Sequence, residues 1–376
     1  MFSLHIDSGR EWRGAQRQTM YTVLGLRAAG HRAAIVVQPG SELFHRMSEG
    51  LDLIPIAIRR EIDLEAAWNL SRVIKQLAPD VVHAHDQEAA GVTATALSII
   101  STAARPAFVV SRRLDVGLAR QSFSRWSYTQ VDGFITTTAA IRDRLVADGV
   151  PRQKASVILD GVDVDRIVRL PRANVHAELF LPTHAPLVGN VASLVPDKGH
   201  RYLIDAAAVV LRDVPDARFV VFGEGELRCT LEEQIHHRHL ERHVFLAGFR
   251  EDAVELMKGC DLVAVSAIHE RASTVIVEAM AASKAVVATE VGAVPEVMVD
   301  GVTGILVRPR DADDLARGIV RLLRDRALRE RMGTAAFARA RERFTVERMI
   351  EKTAALYARL AGMRRAADTA SRAADD

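Results

Sequence analysis

Short aliphatic, β-branched runs recur along the chain, and each is followed by a stretch with apolar residues at helical spacing. "FSLHI" precedes a helical pattern over Ala15–Ala29, and "AAIVV" precedes one at Ser41–Glu49. "LIPI" leads to Leu64–Leu77, "DVVHAH" to Glu88–Ile100, and "AFVV" and "GFITT" follow, the last running into Thr138–Asp148. Regular β-α alternation predicts parallel sheets covered on both faces. The rhythm lapses in "GVDVDRIVRLPRANVHAELFLPTHA", a linker with room for one short helix, and then restarts. "LVGNVASL", a helix over Arg201–Arg212, "RFVVFGEG", "HVFLAGF", "DLVAVS", "AVVATE" and "GILV" make a second doubly wound unit. Asp311 is placed to cap a helix ending at Arg324. A last helix is expected over Thr345–Ala361, with Met349, Ile350, Leu356, Tyr357 and Leu360 at helical spacing. The polar tail after it has too little apolar surface to fold.

At 376 residues the chain exceeds one ordinary core, which agrees with two domains. The boundaries expected are 1–168 for the first Rossmann-like domain, 169–344 for the second, 345–364 for a closing helix and 365–376 for a disordered tail. A formal net charge of +2 gives no global pull toward nucleic acid. The uncharged stretch Ala89–Ala104 is too short and too rich in Thr, Ser and Gly to span a bilayer, which takes roughly 20 apolar residues. The start "MFSLHID" lacks the basic and apolar runs of a signal peptide. Cys229 and Cys260 form no metal or redox spacing, so a reducing, cytoplasmic setting is expected.

In doubly wound sheets ligands bind at the carboxyl ends of strands, where strand order reverses. That directs attention to the loops after "LHI", "VVHAH", "FVV", "NVASL", "VFGEG" and "VAVS", four of which carry candidate chemistry. "RGAQRQ" (Arg13–Gln18) precedes a helix that opens near Ala15, where free N–H groups favour an anion, Gly14 permits close backbone approach and Arg13 and Arg17 add charge. "DVVHAHD" ends a strand with His83 and His85 on one face. That pair could begin a metal site, but no other His or Cys motif supports one. "VPDKGH" puts Lys198 and Gly199 at a helix entrance. "HERASTVIVEAM" spaces Glu270 and Glu278 across a helix start. The N–H groups of Ser273, Thr274 and Val275 suit a diphosphate, while Glu278, about one turn of roughly 5 Å further on, suits a ribose. Glu278 stands among Val275, Ile276, Val277, Ala279 and Met280, so partial burial is expected, and a buried carboxylate needs partners.

Together with "GLRAAGH", "ILDGVD", "FGEGEL", "FLAGF" and "VGAVPEVMVDGVTGILV", these stretches resemble glycosyltransferase family 4 over nearly the whole chain. "WRGAQRQ" with "VVSRRLD" is similar to a bacterial branch that assembles cell-surface polysaccharide or lipopolysaccharide. The resemblance implies a GT-B fold: two Rossmann-like domains across a cleft, with the last helix crossing back to the first. It implies a retaining transfer from a nucleotide-diphosphate sugar to a glycan or glycolipid, without a metal or other cofactor. On this reading Glu270 meets donor-sugar hydroxyls, Glu278 the ribose and Lys198 the diphosphate. The Gly14 loop closes over the diphosphate, and His85 lies near the reacting sugar. Arg13, Gln16, Arg17, Arg112 and Arg113 are the acceptor-side candidates. The expected setting is the cytoplasm, with possible peripheral contact at the inner membrane face. "SRRLDVGLARQSFSRWSY" gathers arginines around Phe123, Trp126 and Tyr128, as either a patch for anionic lipid or a solvated basic helix. A nucleotide-binding scaffold and a sugar-nucleotide epimerase are the alternatives on the same fold.

Several positions depart from the family pattern. Arg271 and Ser273 stand where it has glycine, Ser193 where it has arginine, and Gly292–Ala293 where it has two glycines. Arg271 could supply the charge missing at Ser193, and a charge-assisted contact is worth roughly 1.5–3 kcal/mol. Arg271→Gly is therefore expected to weaken nucleotide-sugar binding in a titration; unchanged or tighter binding refutes the compensation.

Overall fold

The computed structural model describes residues 1–47, 52–101, 105–113, 122–269 and 274–375. The chain divides into two compact units, Met1–Gly161 with Val346–Asp376, and Val162–Thr345.

The first unit carries strands β1 (Phe2–Asp7), β2 (Arg32–Val37), β3 (Leu53–Pro55), β4 (Val81–Ala84), β5 (Ala107–Arg112), β6 (Gly133–Thr136) and β7 (Ala155–Val157). Helices α1 (Gly14–Ala28), α2 (Glu42–Arg46), α3 (Leu64–Leu77), α4 (Gln87–Ser98), α5 (Ser122–Thr129) and α6 (Ala139–Ala147) alternate with them. The sheet is parallel with strand order β3-β2-β1-β4-β5-β6-β7. Helix starts follow ordinary capping chemistry: Asp63, Asp86 and Thr138 each accept a backbone N–H three residues on. In α3 the buried positions Ala66, Ala67, Leu70 and Ile74 form one stripe, while Leu64 and Trp68 face outward.

The second unit opens with α7 (Val164–Arg169) and α8 (Val175–Glu178), two short helices where one was expected. It continues with β8 (Leu187–Val191), α9 (His200–Asp213), β9 (Arg218–Phe222), α10 (Arg228–His237), β10 (Val244–Leu246), α11 (Ala253–Gly259) and β11 (Leu262–Val265). Then come α12 (Thr274–Ala281), β12 (Val286–Thr289), α13 (Val294–Val297), β13 (Gly304–Val307), α14 (Ala312–Arg324) and α15 (Arg326–Arg343). Strand order is β10-β9-β8-β11-β12-β13. Asp311 caps α14 as expected, accepting from Asp314 N at 2.9 Å. Phe219, Val221, Ala264 and Val287 pack with Leu203, Ile204, Leu315 and Ile319 on one face. Burying each of the larger of these side chains contributes about 1.5–3 kcal/mol. Cys260 sits at the opposite face, and burial pushes its thiol up to about 12, so it is inert.

The last helix, α16 (Val346–Asp375), belongs to the first unit. It runs beyond the expected end at Ala361, through the segment expected to be disordered. Met349, Ile350, Leu356, Tyr357 and Leu360 are buried against α1 and the sheet. The packing there is close: a Cβ on Gly25 would lie 2.4 Å from Ile350 Cγ1. Gly25→Val forces α1 and α16 apart and is expected to cost about 1–3 kcal/mol. Urea unfolding of the full chain checks it, and an unchanged midpoint would show that the two helices do not bear on one another.

Candidate functional site

Both sheets reverse strand order at their centre. In the first unit the reversal lies between β1 and β4, and in the second between β8 and β11. Carboxyl ends at such points leave an open crevice. Most of the described candidate residues stand beside them.

In the first unit the loop after β1 is pinned by carboxylates. Asp86 accepts from Ser8 N at 2.7 Å, Ser8 Oγ at 2.6 Å and Ala89 N at 2.8 Å, so one side chain caps α4 and holds the neighbouring loop. Burial, then the Asp7 charge, pushes its pKa up to about 7. Asp7 accepts from Gly9 N, Gln16 Nε2 and Thr19 Oγ1. Gln16 is thus turned inward to serve Asp7 rather than presented for an acceptor. Gly14 is the first residue of α1 and is exposed. Arg13 precedes it, and its charge is engaged by Glu11 at 2.5 Å on the surface. Arg17 is half-buried.

Arg112 and Arg113 part company because side chains alternate along β5. Arg112 is buried on one face, its Nη1 donating to Tyr128 Oη at 2.9 Å. Arg113 lies on the other face, 3.4 Å from the buried Asp160. They do not form one basic surface. Of the expected aromatic-basic patch, Arg125 and Trp126 are exposed and Tyr128 is core. Arg120 and the side chain of Phe123 lie outside the described residues.

His85 follows β4 and is 4% exposed. His5 is the residue that sequence reasoning missed. It pairs in register with His83 across β1 and β4, so three imidazoles share one face. Ser3 Oγ contacts His5 Nε2 at 2.9 Å, and His5 Nδ1 contacts His85 Nε2 at 3.0 Å. His83 uses both nitrogens, on Tyr357 Oη at 2.5 Å and Ser111 Oγ at 2.9 Å. His85 Nδ1 is buried with no partner among the described residues. Burial foremost, then neighbouring imidazoles and Arg113, holds His83 and His85 neutral. Burial alone pushes His5 down to about 3. The expectation that nothing joins the His83–His85 pair is therefore corrected. One nitrogen from each ring lies within 4.8 Å of the others, a spacing that bears on metal binding. Five of the six ring nitrogens are already engaged in the contacts above, so the cluster is a hydrogen-bonded network first. The missed signal was "LHI" itself: a polar residue at alternate positions of an otherwise apolar central strand.

In the second unit the loops after β8 and β11 are stitched together. Ile268 N and His269 N donate to Asp197 O at 2.8 and 3.1 Å, and Ser266 Oγ donates to Lys198 O at 3.0 Å. Gly199 has φ +62°, and a Cβ there would lie 2.1 Å from Ser266 O, so only glycine allows this approach. The same device recurs in "FGEG": a Cβ on Gly223 would lie 1.9 Å from Ala192 O. The backbone of Lys198 is consequently fixed beside the loop that leads to α12, and the residue is half-buried. Thr274 and Val275 open α12 and are partly exposed. Glu278, in its second turn, is 7% exposed. This excludes the reading of Glu278 as a plain surface residue. Glu270, Arg271 and Ser273 lie outside the described residues.

Residues 12–166 match the family model described as Glycosyltransferase Family 4, and residues 171–339 match Glycosyl transferases group 1. The lipopolysaccharide core biosynthesis glycosyltransferase LpsE of Rhizobium meliloti is 28% identical, covering 87% of this chain and 90% of its own. The alpha-D-kanosaminyltransferase of Streptomyces kanamyceticus is 33% identical over 46% of this chain and 45% of its own. With several other curated relatives the match likewise spans about half of their length. Among solved structures, Anabaena Alr3699/HepE in complex with UDP matches with a TM-score of 0.83 at 23% identity, covering 95% of this chain and all of that one. A glycosyltransferase from Rickettsia africae matches with a TM-score of 0.85 at 19% identity, covering 96% and 98%. These likenesses show a shared fold. With two sheets of this topology and a family model matched to each half, the chain belongs to the GT-B glycosyltransferases, Family 4 in its first half and group 1 in its second.

Proposed function

We propose that the protein is a retaining glycosyltransferase that takes a sugar from a nucleotide-diphosphate donor and passes it to a glycan or glycolipid in cell-envelope polysaccharide assembly. The observation that carries the reading is the second unit's switch point. The backbone of Lys198 is pinned beside the loop leading to α12, and a carboxylate is buried one turn into that helix. A helix amino end and an ammonium together meet the charge of a pyrophosphate. Glu278 then accepts from the ribose hydroxyls. Anabaena HepE, which shares the fold, is known in complex with UDP and with UDP-glucose, and LpsE acts in lipopolysaccharide core biosynthesis.

In this scheme Glu270 contacts the sugar, and Ser273, Thr274 and Val275 offer backbone N–H groups to the phosphates. Arg271 adds charge there. No metal is required, because fixed dipoles and Lys198 carry the electrostatic load. His85 lies near the transferred sugar. It is neutral, and the departing phosphate takes the acceptor proton. Arg17 and Arg113 are the acceptor-side cations of this reading. Work at the cytoplasmic membrane face, where a glycolipid acceptor would be met, completes it. No helix among the described residues is long and apolar enough to cross a membrane.

Glu278→Ala is expected to weaken donor binding roughly 10- to 100-fold, the loss of one or two hydrogen bonds to a charged group. The ligand-free melting temperature should move little by comparison. A thermal-shift screen of UDP-, GDP- and ADP-sugars, followed by isothermal titration of the hit, reads both. Wild-type affinity in the variant discards the assignment, and no stabilisation by any nucleotide favours a scaffold role.

A further inference from the structure

The network around His85 has a direction that follows from counting protons. Ser3 is 1% exposed, and among the described residues its hydroxyl has one hydrogen-bond contact, His5 Nε2. A hydroxyl that only accepted there would leave its own proton buried and unpaired, which costs about 1–3 kcal/mol. Ser3 therefore donates. His5 Nε2 then carries no proton, and a neutral imidazole has one, so it sits on Nδ1. That proton is donated to His85 Nε2, 3.0 Å away. His85 Nε2 is thereby an acceptor, and the His85 proton must be on Nδ1, the one ring nitrogen of the three histidines without a partner.

We infer that Ser3 and His5 are positioning residues that hold His85 as its Nδ1–H tautomer, so that His85 offers a hydrogen-bond donor to an oxygen of the substrate and does not act as a base. The inference rests on the proposed place of His85 near the transferred sugar. The second chain of contacts, Tyr357–His83–Ser111, does not touch His85 by any hydrogen bond. It anchors α16 to β4 and β5 and leaves the tautomer of His85 to the His5 side. Arg113, on the same face, adds positive potential that further disfavours imidazolium. A buried donor left open in this way is a group awaiting a partner.

Long-range 1H–15N correlation on the ligand-free, 15N-histidine-labelled full chain reads the tautomer directly, with His85 assigned from its loss in His85→Gln. The expected spectrum has His85 protonated on Nδ1. Ser3→Ala, a small change in a central strand, should shift His85 toward Nε2–H or a mixture. In transfer assays His5→Leu should lower kcat at least about tenfold with little change in KM for the donor, since a wrong tautomer on a catalytic histidine is costly. His5→Gln, whose amide can both donate and accept, should restore part of it. Wild-type His85 protonated on Nε2 overturns the inference, as does a tautomer indifferent to Ser3→Ala, or equal kcat in His5→Leu and wild type. Tightly held metal in the purified wild type, lost in His5→Leu, would also overturn it by assigning the ring nitrogens to a cation. Because the spectrum needs no substrate, absence of any transfer by the wild type would count against the transferase reading alone.

Discussion

The place where neighbouring strands leave in opposite directions governs both units. At β1/β4 and at β8/β11 no crossover helix can cover the carboxyl ends of both strands, so backbone and side chains there stay available. The chain then spends its special residues on shaping those two openings. Gly199, Gly223 and Gly225 let one loop backbone lie against another at distances that any Cβ would forbid. Asp86 and Asp197 tie two loops each to their strand neighbours. Rigid loops at an open edge are what a pre-organised anion site needs, because dipoles that are already fixed cost nothing to orient when charge arrives.

The cost of this arrangement is concentrated in the first unit. Along β1 one face is Phe2, Leu4 and Ile6, and the other is Ser3, His5 and Asp7, all buried. Polar groups in a core are tolerated only when their hydrogen bonds close. Here Asp7 is met by Gln16, Thr19 and Gly9. His83 is met by Tyr357 and Ser111, and His5 by Ser3 and His85. The last helix is therefore part of the site's support, since Tyr357 closes the network from α16.

Much of this could be read along the chain. Period-two and period-3.6 patterns show where strands and helices lie, and Asp311 marks its helix start by the ordinary capping rule. The burial of Glu278 followed from its apolar neighbours. Other features were hidden for physical reasons. His5 looked incidental because its meaning depends on register with His83, 78 residues away in the chain, and register is a property of paired strands. Gln16 and Arg112 looked like ligand-facing residues because composition does not report direction. Alternation in β5 sends Arg112 to Tyr128 and Arg113 to Asp160. The end of α16 was misjudged because its terminal segment lacks an apolar stripe, the feature on which the expectation rested.

A neutral histidine beside an arginine also bears on what the transfer requires. General-base catalysis works best when the base has a pKa near the working pH. Burial and Arg113 move His85 the other way. Asp86, whose pKa is pushed up to about 7, is nearer that value, but both of its oxygens are occupied by Ser8 and Ala89. Its stabilising role also has a definite sign. A carboxyl raised in the folded state favours folding at low pH, and that contribution fades as pH climbs through about 7. Neither side chain is then free to take the acceptor's proton. On the proposed retaining transfer this leaves the proton to a group that arrives with the donor, and the oxygen of the departing phosphate is the one that gains charge as the glycosidic bond breaks.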